Sequence, residues 1–499
     1  MISQKSINRK RTFFLSFLIL TLIALACDDQ GKFEKNQKPN ILLVFTDQQN
    51  VSMMSSAGNP FLHTPAMDKI ARQGVLFTES YCSSPVCGPA RSSIISGRMP
   101  HETGVEWNGD SMKEDILNAG EIFRTAGYRT VWAGKWHLPE SYPQRAASKQ
   151  KHIKGFEMLP FYDPEVKNWM LGAETDPPLT KAVVDFLDNY NREDPFFLAV
   201  SYHNPHDICF YPRKAGWVTE EDSLLEIRYY GFDYKLPAVI GTHPEHYEVL
   251  PPLPPNHEIN EDEPEFITQK RTDHDEYGME TKLANLEFSD KDWQGYYHAY
   301  CRLTEMVDRE IGRVLDALEE NELDKNTLII FTSDHGDGAA SHKWAAKLSL
   351  YEESSNIPFI ISWKDMIPAA KIDSIHLVSQ IDILPTLCDF AGVNTSLKFT
   401  GKSLRPILED PSSEWRDYLV VELADYKPDQ KRKGRMLRTT DFKYNVYSTG
   451  KRNEQFFNLK EDPGEMVNLI NDPSFQENIE HHRKLLQDWI LKTDDTFDF

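Results

Sequence analysis

Within eleven residues, Cys87-Gly-Pro-Ala-Arg-Ser-Ser-Ile-Ile-Ser-Gly97 combines a thiol, a helix starter, a planar cation and a helix stop. Pro89 lacks an N–H and has a fixed φ, which suits the first turn of a helix running to Ser96 with Gly97 just beyond it. Cys87 then sits at the helix N-terminus, where orphan N–H groups and the positive end of the dipole favour an anion. One turn on, Arg91 can direct a planar set of donors at the same oxyanion. Taken alone, the residues equally describe a buried cysteine beside an ordinary helix start. A cysteine-phosphatase loop is excluded, because it needs a longer spacing than the three residues between Cys87 and Arg91.

The surrounding chain alternates strands and helices. Asn40–Asp47 is an apolar run ending in a carboxylate, the pattern of a buried parallel strand whose C-terminal end carries function. Thr64-Pro65 opens a helix that Gly74 stops, and Leu117 to Ala126 reads as a second. Strands are predicted at Arg129–Ala133, ending at Lys135 and His137, and at Phe196–Tyr202, ending at His206. A helix from Lys181 to Asn189 precedes the latter. A long amphipathic helix from Asp292, with Leu303, Val307, Ile311, Val314, Leu315 and Leu318 on one face, feeds a strand at Thr327–Thr332 that ends at Asp334-His335. Ile357–Ser362 is a further strand and Ile381–Phe390 a further helix. Between Phe210 and Arg271 aromatics, prolines and acids mix without period, which predicts a long irregular excursion of the kind that forms substrate walls. After Glu414, short alternating runs at Tyr418–Glu422, Met436–Thr439 and Phe442–Val446 predict a small antiparallel sheet, closed by a helix around Phe475–Leu491. The fold class is therefore α/β: a large, mostly parallel sheet flanked by helices (39–413), followed by a small C-terminal α+β subdomain (414–499).

The Cys-x-Pro-x-Arg…Gly stretch resembles the signature of the sulfatases, and the likeness extends from Asn40 to about Leu469. It implies the alkaline-phosphatase-like fold and hydrolysis of a sulfuric ester, with Cys87 oxidised by a maturing enzyme to a formylglycine nucleophile. By the same resemblance Asp47, Gln48, Asp334 and His335, with residue 87, hold a divalent cation, calcium before magnesium or manganese. Lys135 and His137 match the Gly-Lys-Trp-His motif, His206 the Pro-His motif and Lys347 the distal lysine. Arg91, Lys135 and Lys347 are expected around the sulfuryl oxygens, with His206 at the leaving oxygen and His137 as the base that releases sulfate. Gln48 departs from the family's second aspartate, and His335 offers nitrogen to a cation that prefers oxygen. Asp337 and His342, nearby in sequence, would touch substrate or support the loop. Phosphonate and phosphodiester hydrolases of the same superfamily, and a non-catalytic glycan-binding protein, are the competing readings.

A net charge of −22 argues against nucleic acid as a partner. It also requires a locally basic cleft for a sulfated ligand. Lys5, Arg9, Lys10 and Arg11 precede the apolar run Phe13–Ala26, which suits a secretory signal (1–27) rather than a membrane span. Removing them leaves 51 basic against 77 acidic residues, a net charge of −26. The run ends in Ile23-Ala-Leu-Ala-Cys27, which resembles a bacterial lipoprotein box, so Cys27 is expected to be lipidated and residues 28–38 to form a tether from the membrane of the cell envelope. Six cysteines in so long a chain make no disulfide framework. An exported hydrolase with an aromatic-rich excursion suits a sulfated polysaccharide or oligosaccharide.

Overall fold

A computed structural model of the 499-residue chain describes residues 38–138, 153–160, 171–191, 193–211, 225–229, 232–236, 250–272, 281–427 and 430–499. The leader with Cys27, the tether up to residue 37 and parts of the Phe210–Arg271 excursion (212–224, 230–231 and 237–249) lie outside the described residues. Among those described, no helix is long and apolar enough to cross a membrane.

An eight-stranded sheet organises the chain from Asn40 onward. Its strands are β1 (Asn40–Asp47), β2 (Gly74–Phe77), β3 (Arg129–Gly134), β4 (Glu157–Met158), β5 (Phe196–Pro205), β6 (Thr327–Ser333), β7 (Phe359–Ser362) and β8 (Lys371–Asp373), in the spatial order β8-β2-β7-β6-β1-β5-β3-β4. All run parallel to their neighbours except β7, which is antiparallel to both β6 and β2. β1 is central and buried throughout, and alternation along it feeds two cores. Ile41, Leu43 and Phe45 join Ile94, Phe123 and Trp132 on one face, while Leu42 and Val44 join Val183, Val307 and Ile311 on the other. A continuous apolar run is what burial on both faces demands.

Several elements differ from expectation for local reasons. Gly74 stops its helix and also begins β2, a four-residue strand too short for periodicity to reveal. The helix before β5 starts at Gly172 and passes through Pro177 and Pro178. Its first turn is gripped from outside, since the Asp207 carboxylate accepts the N–H groups of Gly172 and Ala173 at 2.9 and 3.0 Å. The excursion is not wholly irregular: Leu225–Tyr229 pairs with Phe232–Leu236, and Glu265–Thr272 is a helix. That helix buries Phe266, which stacks on Tyr447 at 4.6 Å.

The C-terminal sheet has four antiparallel strands, Tyr418–Lys427, Gln430–Thr439, Phe442–Tyr447 and Glu454–Asn458, followed by the helix Gln476–Thr493. The residues after this helix pack back on the sheet. Asp495 receives two hydrogen bonds from Arg435 (2.7 and 2.9 Å), beside Glu422. His101, in the short turn of helix after the Cys87 helix, places Nδ1 2.5 Å from Glu422 Oε1 and Nε2 3.0 Å from the Thr493 carbonyl. Both ring nitrogens face acceptors, so the cation is favoured. Although burial opposes it, Glu422 raises the His101 pKa to about 9. Stability from this contact is complete below the unfolded value near 6.5 and is lost as pH rises through 9, amounting to at most about 3 kcal/mol. His101→Gln should therefore flatten the decline of the melting temperature between pH 6.5 and 9; an unchanged slope would show that the contact carries no such linkage.

Candidate active site

Parallel strands deliver their carboxyl ends to one edge of the sheet, and the side chains singled out in the sequence gather there. Asp47 ends β1, while Asp334 and His335 follow β6. Cys87 opens the helix Cys87–Ser96, whose far end is closed by Gly97 at φ 66°. Ligand atoms of Asp47, Cys87, Asp334 and His335, all buried, lie within 4.8 Å of one another.

Arg91 turns inward from the same helix. Its Nε donates to Asp334 Oδ2 (2.9 Å), Nη2 to Asp47 Oδ2 (2.8 Å), and Nη1 to the Lys135 carbonyl and Ser201 Oγ (2.7 and 2.8 Å). Its planar fork ties two buried carboxylates together, and their charge absorbs its donors.

Two lysines complete the cluster. Lys347 Nζ is 2.8 Å from Cys87 Sγ and 3.3 Å from His335 Nε2, and Lys135 Nζ is 2.5 Å from Asp47 Oδ2. Burial and Asp47 push the Cys87 thiol up, but Lys347, His335 and Lys135 outweigh them and bring it down to about 6. Asp47, despite burial, is held well below the usual carboxylate range by Lys135, His206, Arg91 and Lys347. Burial and then Lys135 hold His137 and His206 well below the ordinary imidazole value, so both rest neutral. A neutral His137 can accept a proton, and a neutral His206 has an N–H to direct at a developing oxyanion.

The donor set fits a divalent cation. His335 Nδ1 lies 2.9 Å from the Gly336 carbonyl, which only accepts, so Nδ1 carries a proton, and Nε2, facing Cys87 and Asp334, is the atom that would meet a cation on giving up its own proton. Two carboxylates, this nitrogen and residue 87 surround one point. Gln48 meets the cluster differently: its main-chain N–H donates to Asp334 Oδ1 (3.0 Å), but its side-chain amide is turned to Asp337 Oδ2 (2.7 Å) and the Cys209 sulfur (3.1 Å). Among the described residues, two further groups, His101/Glu422/Asp495 and His342/Glu353/Glu465, already hold the cations Arg435 and Lys443.

Lys347 arrives on a strained loop. Ala339, Ala340, His342, Lys343, Ala346 and Leu348 all take positive φ between 48° and 72°, at a cost of roughly 1–2 kcal/mol each. Packing compensates. Tyr296 and Gln48 hold Asp337, Tyr296 accepts the Ala346 N–H, His342 stacks on Tyr351 at 3.9 Å, and Arg271 lies over Trp344. Asp337 and His342 thus support the loop.

Some partners carry no signal in one sequence. Ser201 anchors Arg91, Asn108 accepts the Gly88 N–H at 2.8 Å, and Gln380 donates to the carbonyls of Ser333 and Asp334 (2.6 Å each). Each is an ordinary polar residue until the fold places it.

The sulfatase family pattern matches residues 39–393, and the C-terminal region of N-sulphoglucosamine sulphohydrolase matches 340–492. A Δ4,5-hexuronate-2-O-sulfatase of Bacteroides thetaiotaomicron is 30% identical over 482 residues, covering 93% of this chain and 91% of the relative. An N-acetylglucosamine-6-O-sulfatase of the same organism is 27% identical, covering 95% and 90%. The solved structure of a 2-O GAG sulfatase superposes with a TM-score of 0.76 at 28% identity, over 92% of this chain and 93% of that one. The fold is shared with the phosphonate monoester hydrolase of Agrobacterium radiobacter (TM-score 0.69, 19% identity, covering 91% and 96%).

Proposed function

The chain belongs to the sulfatase family, and from that premise we propose that this sulfuric ester hydrolase releases sulfate from a sulfated polysaccharide or oligosaccharide, using residue 87 as nucleophile. The observation that carries the mechanism is the meeting of Asp47, Cys87, Asp334 and His335 beneath Lys135 and Lys347. Support for a carbohydrate substrate comes from relatives named for sulfated sugars.

Oxidised to formylglycine by a maturing enzyme, position 87 would supply a gem-diol, one oxygen to take the sulfuryl group and the other to let the adduct collapse. A divalent cation, calcium by the family resemblance, would be held by Asp47, Asp334, His335 and residue 87, and when bound it supplies Lewis-acid charge for a sulfuryl oxygen. Lys347, against residue 87, and Lys135, against Asp47, are the ammonium groups we assign to the sulfuryl oxygens. Such preorganised donors are worth about a hundredfold or more each. His206 directs its N–H at the leaving oxygen, and His137 takes the proton whose loss expels sulfate. Arg91 keeps the two carboxylates in register.

The test is free sulfate released from a panel of sulfated glycosaminoglycan and algal oligosaccharides, before and after exhaustive chelation. Sulfate from at least one glycan, lost with EDTA and restored by calcium, is expected; cleavage of aryl phosphonates with no sulfate from any glycan would refute the assignment. On the leader alone we also place the mature protein in a bacterial envelope, anchored through lipidated Cys27. Cys27→Ala should then move it from membrane to soluble fractions.

A further inference from the structure

Two buried carboxylates outside the cation cluster grip the segment that carries His206. β5 stays in register with β1 as far as Phe45 opposite Ser201, after which the pairing shifts and Asp47 lies opposite Pro205. The His203 and Asn204 N–H groups fall in this irregular stretch, and both donate to Asp176, at 2.9 Å to Oδ1 and 3.0 Å to Oδ2. Asp176 belongs to the helix Gly172–Asp188, whose own first N–H groups donate to Asp207. The two carboxylates therefore cross: one from the helix holds the strand end, and one beyond the strand holds the helix end.

Other contacts tighten the same seam. His203 Nδ1 is 3.1 Å from Thr175 Oγ1, whose hydroxyl is committed to the Leu171 carbonyl at 2.9 Å. Gly172 packs so closely that a Cβ there would lie 2.7 Å from the Asn204 nitrogen. Asp176 and Asp207 are 2% and 0% exposed, and among the described residues neither has a lysine or arginine within ion-pair distance. Burial pushes both carboxyls up, Asp207 to about 7, against main-chain N–H pairs, one of them at a helix N-terminus, that favour the charged form. A simple loop closure does not need two such groups. Here they fix the main chain on both sides of His206.

We infer that Asp176 and Asp207 are positioning residues that set the His206 imidazole against the leaving oxygen. The inference rests on the role given to His206 above. A displaced hydrogen-bond donor matters most when the departing oxygen is a strong base and least when it leaves readily. Asp176→Asn and Asp207→Asn keep the shape but put an NH2 group against one main-chain N–H. Each should lower kcat on phenyl sulfate about 30-fold and on 4-nitrophenyl sulfate less than about 3-fold, with KM nearly unchanged. Gly172→Ala pushes on the same segment from the helix side and should give the same split, which covers the case of an aspartate variant that does not fold. His206→Ala, assayed alongside, should show the split in larger form. If it does and none of the three other variants follows, the positioning role is overturned. Equal losses on both esters in His206→Ala would instead overturn the role of His206 itself.

Discussion

Replacing Cys87 with alanine is expected to abolish sulfate release, with kcat falling by about four orders of magnitude or more, as for loss of a nucleophile elsewhere. The fold should survive, because the side chain is small and the helix is secured elsewhere, by Pro89, by Asn108 on the Gly88 N–H and by Gly97 at its far end. The sharper expectation concerns the wild type. Lys347 and His335 make Cys87 a strong thiolate, and a thiolate could attack sulfur. The resulting thiosulfate-like adduct has no second hydroxyl from which His137 could draw a proton, so turnover would stop after one event. A gem-diol at residue 87 removes that block. Mass spectrometry of the tryptic peptide bearing residue 87 from active enzyme should therefore show an aldehyde that reacts with hydrazides. Full activity with an entirely thiol-bearing peptide would leave the fold standing and the mechanism without its nucleophile.

The legible part of this protein is the part encoded by local physics. An unbroken apolar run of β-branched and large residues such as Asn40–Asp47 reads as a strand covered on both faces, and parallel pairing then carries Asp47, Lys135, His206 and Asp334 to one edge. Pro89 and Gly97 bracket the Cys87 helix in the sequence as they do in the structure. What stayed hidden depends on direction. The number of donors on Arg91 follows from its type, but their orientation follows from where two carboxylates 287 positions apart in the chain meet. Gln48 sits at the expected place, yet Asp337 and Cys209 draw its amide away while its main chain serves Asp334. The left-handed residues before Lys347 include three alanines, a type that gives no warning of positive φ. Asp176 and Asp207 escaped because a carboxylate accepting main-chain N–H groups looks in sequence like any capping residue.

Arg91→Lys should damage both stability and activity, although charge is conserved. The guanidinium is 1% exposed and engages acceptors in three directions: Asp334, Asp47, and the Lys135 carbonyl with Ser201. An ammonium on a flexible stem is a single point and cannot reach all three. At least one carboxylate would be left buried without its partner, which costs about 3–5 kcal/mol in comparable cases. Two consequences separate this role from that of a donor to the sulfuryl oxygens. First, the melting temperature should fall, because the tie joins β1, β6 and the Cys87 helix whether or not substrate is present. Second, kcat should fall about a hundredfold or more while a larger share of the loss is regained on raising calcium, because carboxylates out of register weaken cation binding before they weaken chemistry. A donor that served only the transition state would lose kcat with unchanged melting temperature and no response to calcium. That pattern in Arg91→Lys would return the residue to the role that its sequence motif first suggested.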